Sequence, residues 1–202
     1  MSGATVRPAA DQARDGEPPE APRQPRWAVT PTGVVIAVAT LVAFLLRLRL
    51  LLAPGILFGA DWYDDGVYFA SALRLVHGVI PYRDFIFAQP PGITLLMTPA
   101  APLASVIGTA KAMGVARILT FLASTAAVPL AGLLVRHRGL FAVIVTSGLI
   151  AIFPTSVITG HTIYLETWLV LFCLLGALLV FDGDGLSRGL PALQVRPVTL
   201  EL

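Results

Sequence analysis

The chain has 202 residues, of which 56% are hydrophobic and 13% charged. Its mean hydropathy is +0.80. A soluble domain carries about 25% charged residues, so this composition predicts an all-α integral membrane protein and excludes an ordinary soluble domain. The formal net charge of +2 is too small to suggest a nucleic-acid partner. The 14 basic residues, all arginine but Lys111, matter instead as markers of membrane sidedness. Cys173 is the one cysteine and lies in an apolar run, which predicts a small buried hydrophobe and rules out an intrachain disulfide.

In chain order, residues 1–30 are rich in Pro, Arg and acidic residues and poor in large apolar ones. They cannot offset their chain entropy by burial, so a disordered cytoplasmic tail is expected. A first span is predicted over residues 33–52, about the 20 residues that cross a 30 Å hydrocarbon core. Arg47 and Arg49 lie near its far end. They either snorkel to the interface or face a cavity and meet a lipid phosphate.

Residues 53–111 are expected to form one outer loop. Within it, Val67–His77 reads as a helix stopped by Gly78. Asp64 and Asp65 stand at its N-terminus, where the helix dipole favours negative charge. Spacing puts Asp64, Tyr68, Ser71 and Arg74 on one face and Phe69, Ala72, Leu73 and Val76 on another. This predicts an amphipathic helix lying on the membrane surface. Residues 91–107 are apolar but interrupted by Pro91, Pro99 and Pro102. At roughly 25 Å as a helix they are short for a span, so a re-entrant or interfacial segment is expected.

Three further spans follow, over 112–135, 140–158 and 163–181. Arg117 lies in the first turns of the first of these. The Asp182-Gly-Asp184-Gly turn then opens a polar tail over 183–202. The positive-inside rule favours four spans with both termini cytoplasmic, because the Arg136-His137-Arg138 cluster then joins Arg23 and Arg26 inside. That arrangement puts 53–111 and the turn at 159–166 on the same outer face, where Asp64, Asp65 and Glu166 can converge.

Each polar residue has a plain reading. Asp64 and Asp65 can simply cap a helix; Arg74 and Arg83 can contact headgroups or pair with Asp84; Trp62, Tyr68 and Tyr82 can belong to an interfacial belt. His77 suits a helix C-terminus. His161 lacks the companions a metal site needs. Glu166 opens a span, where an acid is costly unless it faces an interface or cavity.

The order Asp64-Asp65-Gly66-Val67-Tyr68, then Gly78-Val79-Ile80-Pro81-Tyr82-Arg83-Asp84-Phe85, then Gln89-Pro90-Pro91, resembles the first extracytoplasmic loop of GT-C membrane glycosyltransferases. The closest likeness is to the protein O-mannosyltransferase-like and aminoarabinose-transferase-like group of actinobacterial type. Asp64-Asp65 stands where those enzymes carry an Asp-Glu pair. Tyr164-Leu165-Glu166 stands where a further acid follows the next two spans, with Glu in place of the more usual Asp. The resemblance covers residues 33 to 181 and implies transfer of a sugar from a polyprenyl-phosphate donor at the outer face of the membrane.

It further implies Asp64 as general base, Asp65 as its orienting partner or a metal ligand, and Glu166 as a third acid of the site. Tyr68, Arg74, Tyr82, Arg83, Asp84 and His161 would bind substrate, the arginines through bidentate contacts to phosphate. No cofactor is expected, although a divalent metal is left open. The partners implied are the donor and membrane lipid, with no nucleic acid. Members of the family are longer, so the chain reads as an N-terminal portion, a truncation or a minimal relative. The alternatives to a transferase are an inactive membrane fragment that binds polyprenyl phosphate or a partner subunit, and a small transporter component.

Overall fold

The computed structural model describes residues 30–59 and 62–181; the expected tails at 1–30 and 183–202, the Asp182–Asp184 turn and Asp61 lie outside them, except for Thr30. Among the described residues the chain is helical and has no strand. An isolated bridge between Pro81 and Phe85 is the one strand-like pairing there.

Helix α1 (Pro31–Leu51) starts where Thr30 Oγ1 accepts from the Gly33 N–H at 3.1 Å and Pro31 pre-sets the first helical φ. Helix α2 (Tyr63–Val76) carries Asp64 and Asp65 in its first turn, as the dipole argument requires. It begins four residues earlier than the expected Val67. It ends where Gly78 takes φ +81. The Gly78 and Val79 N–H groups then donate back to Leu75 and Arg74 carbonyls at 3.0 Å each, the paired bonds of a Schellman cap.

The Pro-rich segment does not form one helix. It breaks into α3 (Gly92–Met97), a 3₁₀ turn at Ala101–Leu103 and α4 (Ala104–Ile107). These pieces pack on α2 and on the start of α5 (Thr109–Leu134). A 3₁₀ turn at Arg136–Arg138 leads to α6 (Leu140–Ile152), then α7 (Pro154–Thr159) and α8 (Leu165–Phe181). The expected span at 140–158 is therefore interrupted. Phe153 leaves the helix with ψ 123, and Pro154, which lacks an N–H, restarts it.

By length and composition two helices can cross a bilayer, α1 with 21 residues and α5 with 26. At 1.5 Å per residue these reach about 31 and 39 Å. Helices α6 and α8 are apolar but shorter. α5 is the axis of the fold: α1, α6 and α8 all pack along it, and α1 also packs on α6. Close approach relies on small residues. At Gly132 of α5 a Cβ would come within 2.5 Å of Ser147 Oγ and 2.8 Å of Ile36 Cγ1.

Among the described residues there are two cores. Ala43, Val128 and Ala151 join α1, α5 and α6. Tyr68, Phe69, Ala72, Ile93, Met97, Ala112, Ala116 and Ile163 join α2, the broken segment, the start of α5 and the turn before α8. This second core corrects the picture of α2 as a surface helix. Tyr68 and Ser71, expected on its polar face, are buried, and Ser71 Oγ hydrogen-bonds Thr94 Oγ1 at 2.7 Å. Asp64 is half-buried and Arg74 exposed. Cys173 is exposed on α8, not buried as its apolar surroundings suggested.

Candidate functional site

Of the three acids expected to converge, Asp65 meets the turn before α8 directly, at the Ile163 N–H, and also pairs with Arg117 of α5. Asp65 and Arg117 are both fully buried. Arg117 Nε and Nη2 donate to Asp65 Oδ2 at 2.8 and 2.5 Å. The opposite oxygen, Oδ1, accepts from the backbone N–H of Ile163. The remaining nitrogen of Arg117, Nη1, donates to the carbonyls of Ile56, Leu57 (3.1 Å) and Gly59 (2.8 Å). One ion pair thus ties together the chain after α1, the start of α2, α5 and the turn before α8. Removal of two charges from water is repaid only where geometry and extra hydrogen bonds are good, and both conditions hold.

Asp65 is therefore corrected from a metal ligand or partner of Asp64 to a tie. Its carboxylate is wholly committed to Arg117 and Ile163. Sequence reasoning noted Arg117 in its span and assigned it nothing. The available signal was the cost of a guanidinium eight residues into an apolar helix, which demands acceptors nearby.

The tie seats Trp62 against Tyr164, whose rings meet edge to face with centroids 6.4 Å apart. The charges of the two other acids, Asp64 and Glu166, are felt at Tyr68. The Tyr68 phenol is held above its ordinary value, first by burial, then by the charges of Asp64 and Glu166, with Tyr164 beside them. Asp64 is half-buried, Glu166 and Tyr63 are exposed, and Tyr68 is buried. A phenol held in its neutral form can donate a hydrogen bond, and a carboxyl group can accept a proton from a hydroxyl.

The other expected residues are engaged elsewhere. Arg74 stacks over the Phe85 ring, 4.8 Å from its centroid. Arg83 forms a bidentate pair with Asp84 at 2.9 and 2.8 Å. Asp84 Oδ2 also accepts from the Ile80 N–H at 2.7 Å. The Arg83 and Ile80 bonds hold the Asp84 carboxyl below the usual carboxylate range. Tyr82 sits at φ 65 with its hydroxyl donating to the Gln89 carbonyl. These contacts brace the loop at 80–89. His77 caps α2, its Nδ1 2.7 Å from the Leu73 carbonyl. His161 is buried, with Nδ1 3.5 Å from the Val157 carbonyl. Among the described residues no three of His, Cys, Asp and Glu come together as a metal site.

Below Glu166 lies a half-open cavity of about 300 Å³ between α5, α7 and α8. Tyr164 and Glu166 form its rim; Ala127, Phe153 and Val170 form its apolar wall. Ser124 and Ser156 also line it. Both accept from Arg47 of α1, at 2.7 Å from Nε and 2.9 Å from Nη2. Arg47 further donates to the carbonyls of Ala43 (3.2 Å), Ala151 (3.2 Å) and Ile150 (3.0 Å). It is fully buried, so it does not snorkel; Arg49 is exposed and free to do so. By capping the last carbonyls of α6 from another helix, Arg47 satisfies the backbone exactly where the helix is interrupted.

Comparison of the chain with protein-family models, curated proteins and solved structures finds no match.

Proposed function

We propose that the chain is a membrane glycosyltransferase of GT-C type, or the N-terminal portion of one. In this reading it moves a sugar from a polyprenyl-phosphate donor to an acceptor at the outer face of the cell membrane. Four spans, α1, α5, α6 with α7, and α8, leave both termini and Arg136–Arg138 in the cytoplasm. Large apolar residues exposed along α1 and α8, such as Val38, Leu41, Leu45, Phe172 and Leu179, support lipid-facing helices.

The observation that carries the reading is Glu166, which lines a cavity with Tyr164 and whose charge, like that of Asp64, is felt by the buried Tyr68 phenol. Asp64 takes the proton of the acceptor hydroxyl, Tyr68 donates to the donor or acceptor as a neutral phenol, and Glu166 orients the acceptor from the opposite rim. Asp65 supports this geometry without touching substrate.

The test is hexose transfer in membranes that contain the protein, supplied with a labelled polyprenyl-phosphate hexose. General-base assistance contributes about 10²–10⁴-fold, so Asp64→Asn should lower the rate by that order while the protein still inserts. A wild-type rate in Asp64→Asn refutes the base assignment. No transfer by the wild type favours the second reading, a non-catalytic membrane unit that binds polyprenyl phosphate. Against the first reading stand Arg74 and Arg83, whose guanidinium groups are turned to Phe85 and Asp84 and not to Asp64 or Glu166.

A further inference from the structure

The buried charge of Arg47 is not accounted for by the site above. Its five acceptors, Ala43 O, Ile150 O, Ala151 O, Ser124 Oγ and Ser156 Oγ, are all neutral. A buried guanidinium whose acceptors are all uncharged keeps its full positive field, which a low-dielectric surrounding leaves unscreened. Two of those acceptors, Ser124 and Ser156, are also walls of the cavity. The cation thus lies one hydroxyl away from an open volume.

Depth and access fit an amphiphile. Arg47 is about one helical turn before the end of α1 at Leu51. In the four-span arrangement this is just below the outer interface. From Ser124 the cavity continues past Ala127 and Val170, further into the apolar layer. On its open side α8 packs along α5, meets α7 only lightly and forms no substantial interface with α6 among the described residues. The cavity therefore opens sideways, toward lipid. Glu166 at the rim opposes an anion, but it is exposed and screened by solvent, whereas Arg47 is not.

We infer that this groove binds a single-chain lipid with an oxyanion head, the head accepting from Ser124 over Arg47 and the chain along Ala127, Phe153 and Val170. The head lies beside Ser156, whose hydroxyl donates to the Ile150 carbonyl at 3.2 Å. The inference deepens the proposed function, and rests on it for the membrane topology. It moves the anion subsite from Arg74 and Arg83 in the loop to a residue of the first span. The interruption after Ile152 then has a purpose: it frees the α6 carbonyls that fix Arg47 and brings Ser156 to the groove.

The test is binding to the purified full chain in nanodiscs, read by native mass spectrometry and thermal shift. The probes are dodecyl phosphate, dodecanol and inorganic phosphate. Dodecyl phosphate should bind and stabilise the wild type at a concentration where neither of the others does. Equal binding of dodecanol overturns the anion subsite; equal binding of inorganic phosphate overturns the lipid. Arg47→Gln should weaken dodecyl phosphate at least tenfold. Because that variant also strips the α6 carbonyls and can fail to fold, Val170→Trp provides the second arm. It fills the groove without touching Arg47 and should weaken binding as much; wild-type affinity in Val170→Trp refutes the proposal. Sugar transfer is not read here: binding without transfer removes the transferase reading and keeps the site, and transfer without binding does the reverse.

Discussion

Asp65→Asn is the sharpest perturbation of the tie between α2, α5 and the turn before α8. The substitution keeps the shape of the side chain but removes its charge, and Arg117 stays fully buried opposite it. Breaking one side of a buried ion pair costs about 3–5 kcal/mol, because the other charge is left uncompensated. The three carbonyls of Ile56, Leu57 and Gly59 retain their donor, which argues for the lower end of that range. The Ile163 N–H also exchanges a carboxylate acceptor for an amide oxygen, and bonds to charged groups are worth about 1.5–3 kcal/mol against roughly 1 for neutral ones. The assay is unfolding in micelles for the wild type, Asp65→Asn, Arg117→Met and the double variant. The account expects each single change to cost about 3 kcal/mol or more. The double variant should be more stable than the sum of the single changes by about 1–3 kcal/mol, the usual size of coupling between residues in contact. A loss below about 0.5 kcal/mol in Asp65→Asn, the level of an ordinary surface substitution, refutes the tie.

Two further outcomes follow from specific contacts. At Gly160 a Cβ would collide with Ser124 Oγ and stand 2.7 Å from Arg47 Nε, so Gly160→Ala should cost about 1–3 kcal/mol by overpacking. Ser124→Ala in the same chain should recover part of that cost in the same unfolding assay; purely additive losses would show that the contact is absent. Tyr68 is the pH-dependent group. Its folded value is raised, so the stability it contributes is complete below its unfolded value of about 10 and is lost as the pH rises through the folded value. Phenolate absorbance compared between wild type and Tyr68→Phe should show Tyr68 ionising above the ordinary phenol value of about 10. Asp64→Asn and Glu166→Gln should each bring its ionisation to lower pH. An unchanged ionisation of Tyr68 in both variants would mean that the acids do not act on it.

The helical character, the N-terminal placement of Asp64-Asp65 on α2 and its stop at Gly78 were all legible in the sequence, because dipole, cap and Pro-Gly chemistry act locally. The failure of residues 91–107 to form one helix was legible for the same reason: three prolines leave no room for a continuous ladder. Side-chain destinations were not. Spacing put Tyr68 and Ser71 on a polar face, but the broken segment and the start of α5 cover that face, and Ser71 finds Thr94 across it. Asp64 and Asp65 are neighbours in sequence yet point 100° apart around a helix. Asp65 reaches Arg117 while Asp64 stays half-buried without that partner's bonds, a division that no motif encodes. The break after Ile152 was hidden because Pro154 can also sit at a helix start, and Arg47, which satisfies the freed carbonyls, is far away in sequence.

The sidedness of the chain tests the account most directly, since the proposed site requires the outer loop and the turn before α8 to share the outer face. The measurement is labelling of single cysteines, Arg138→Cys and Thr159→Cys in a Cys173→Ser background, by a membrane-impermeant maleimide on intact cells. The account predicts that Thr159→Cys labels from outside and that Arg138→Cys labels only after the membrane is opened. External labelling of Arg138→Cys with a protected Thr159→Cys would put Glu166 on the cytoplasmic side and contradict it.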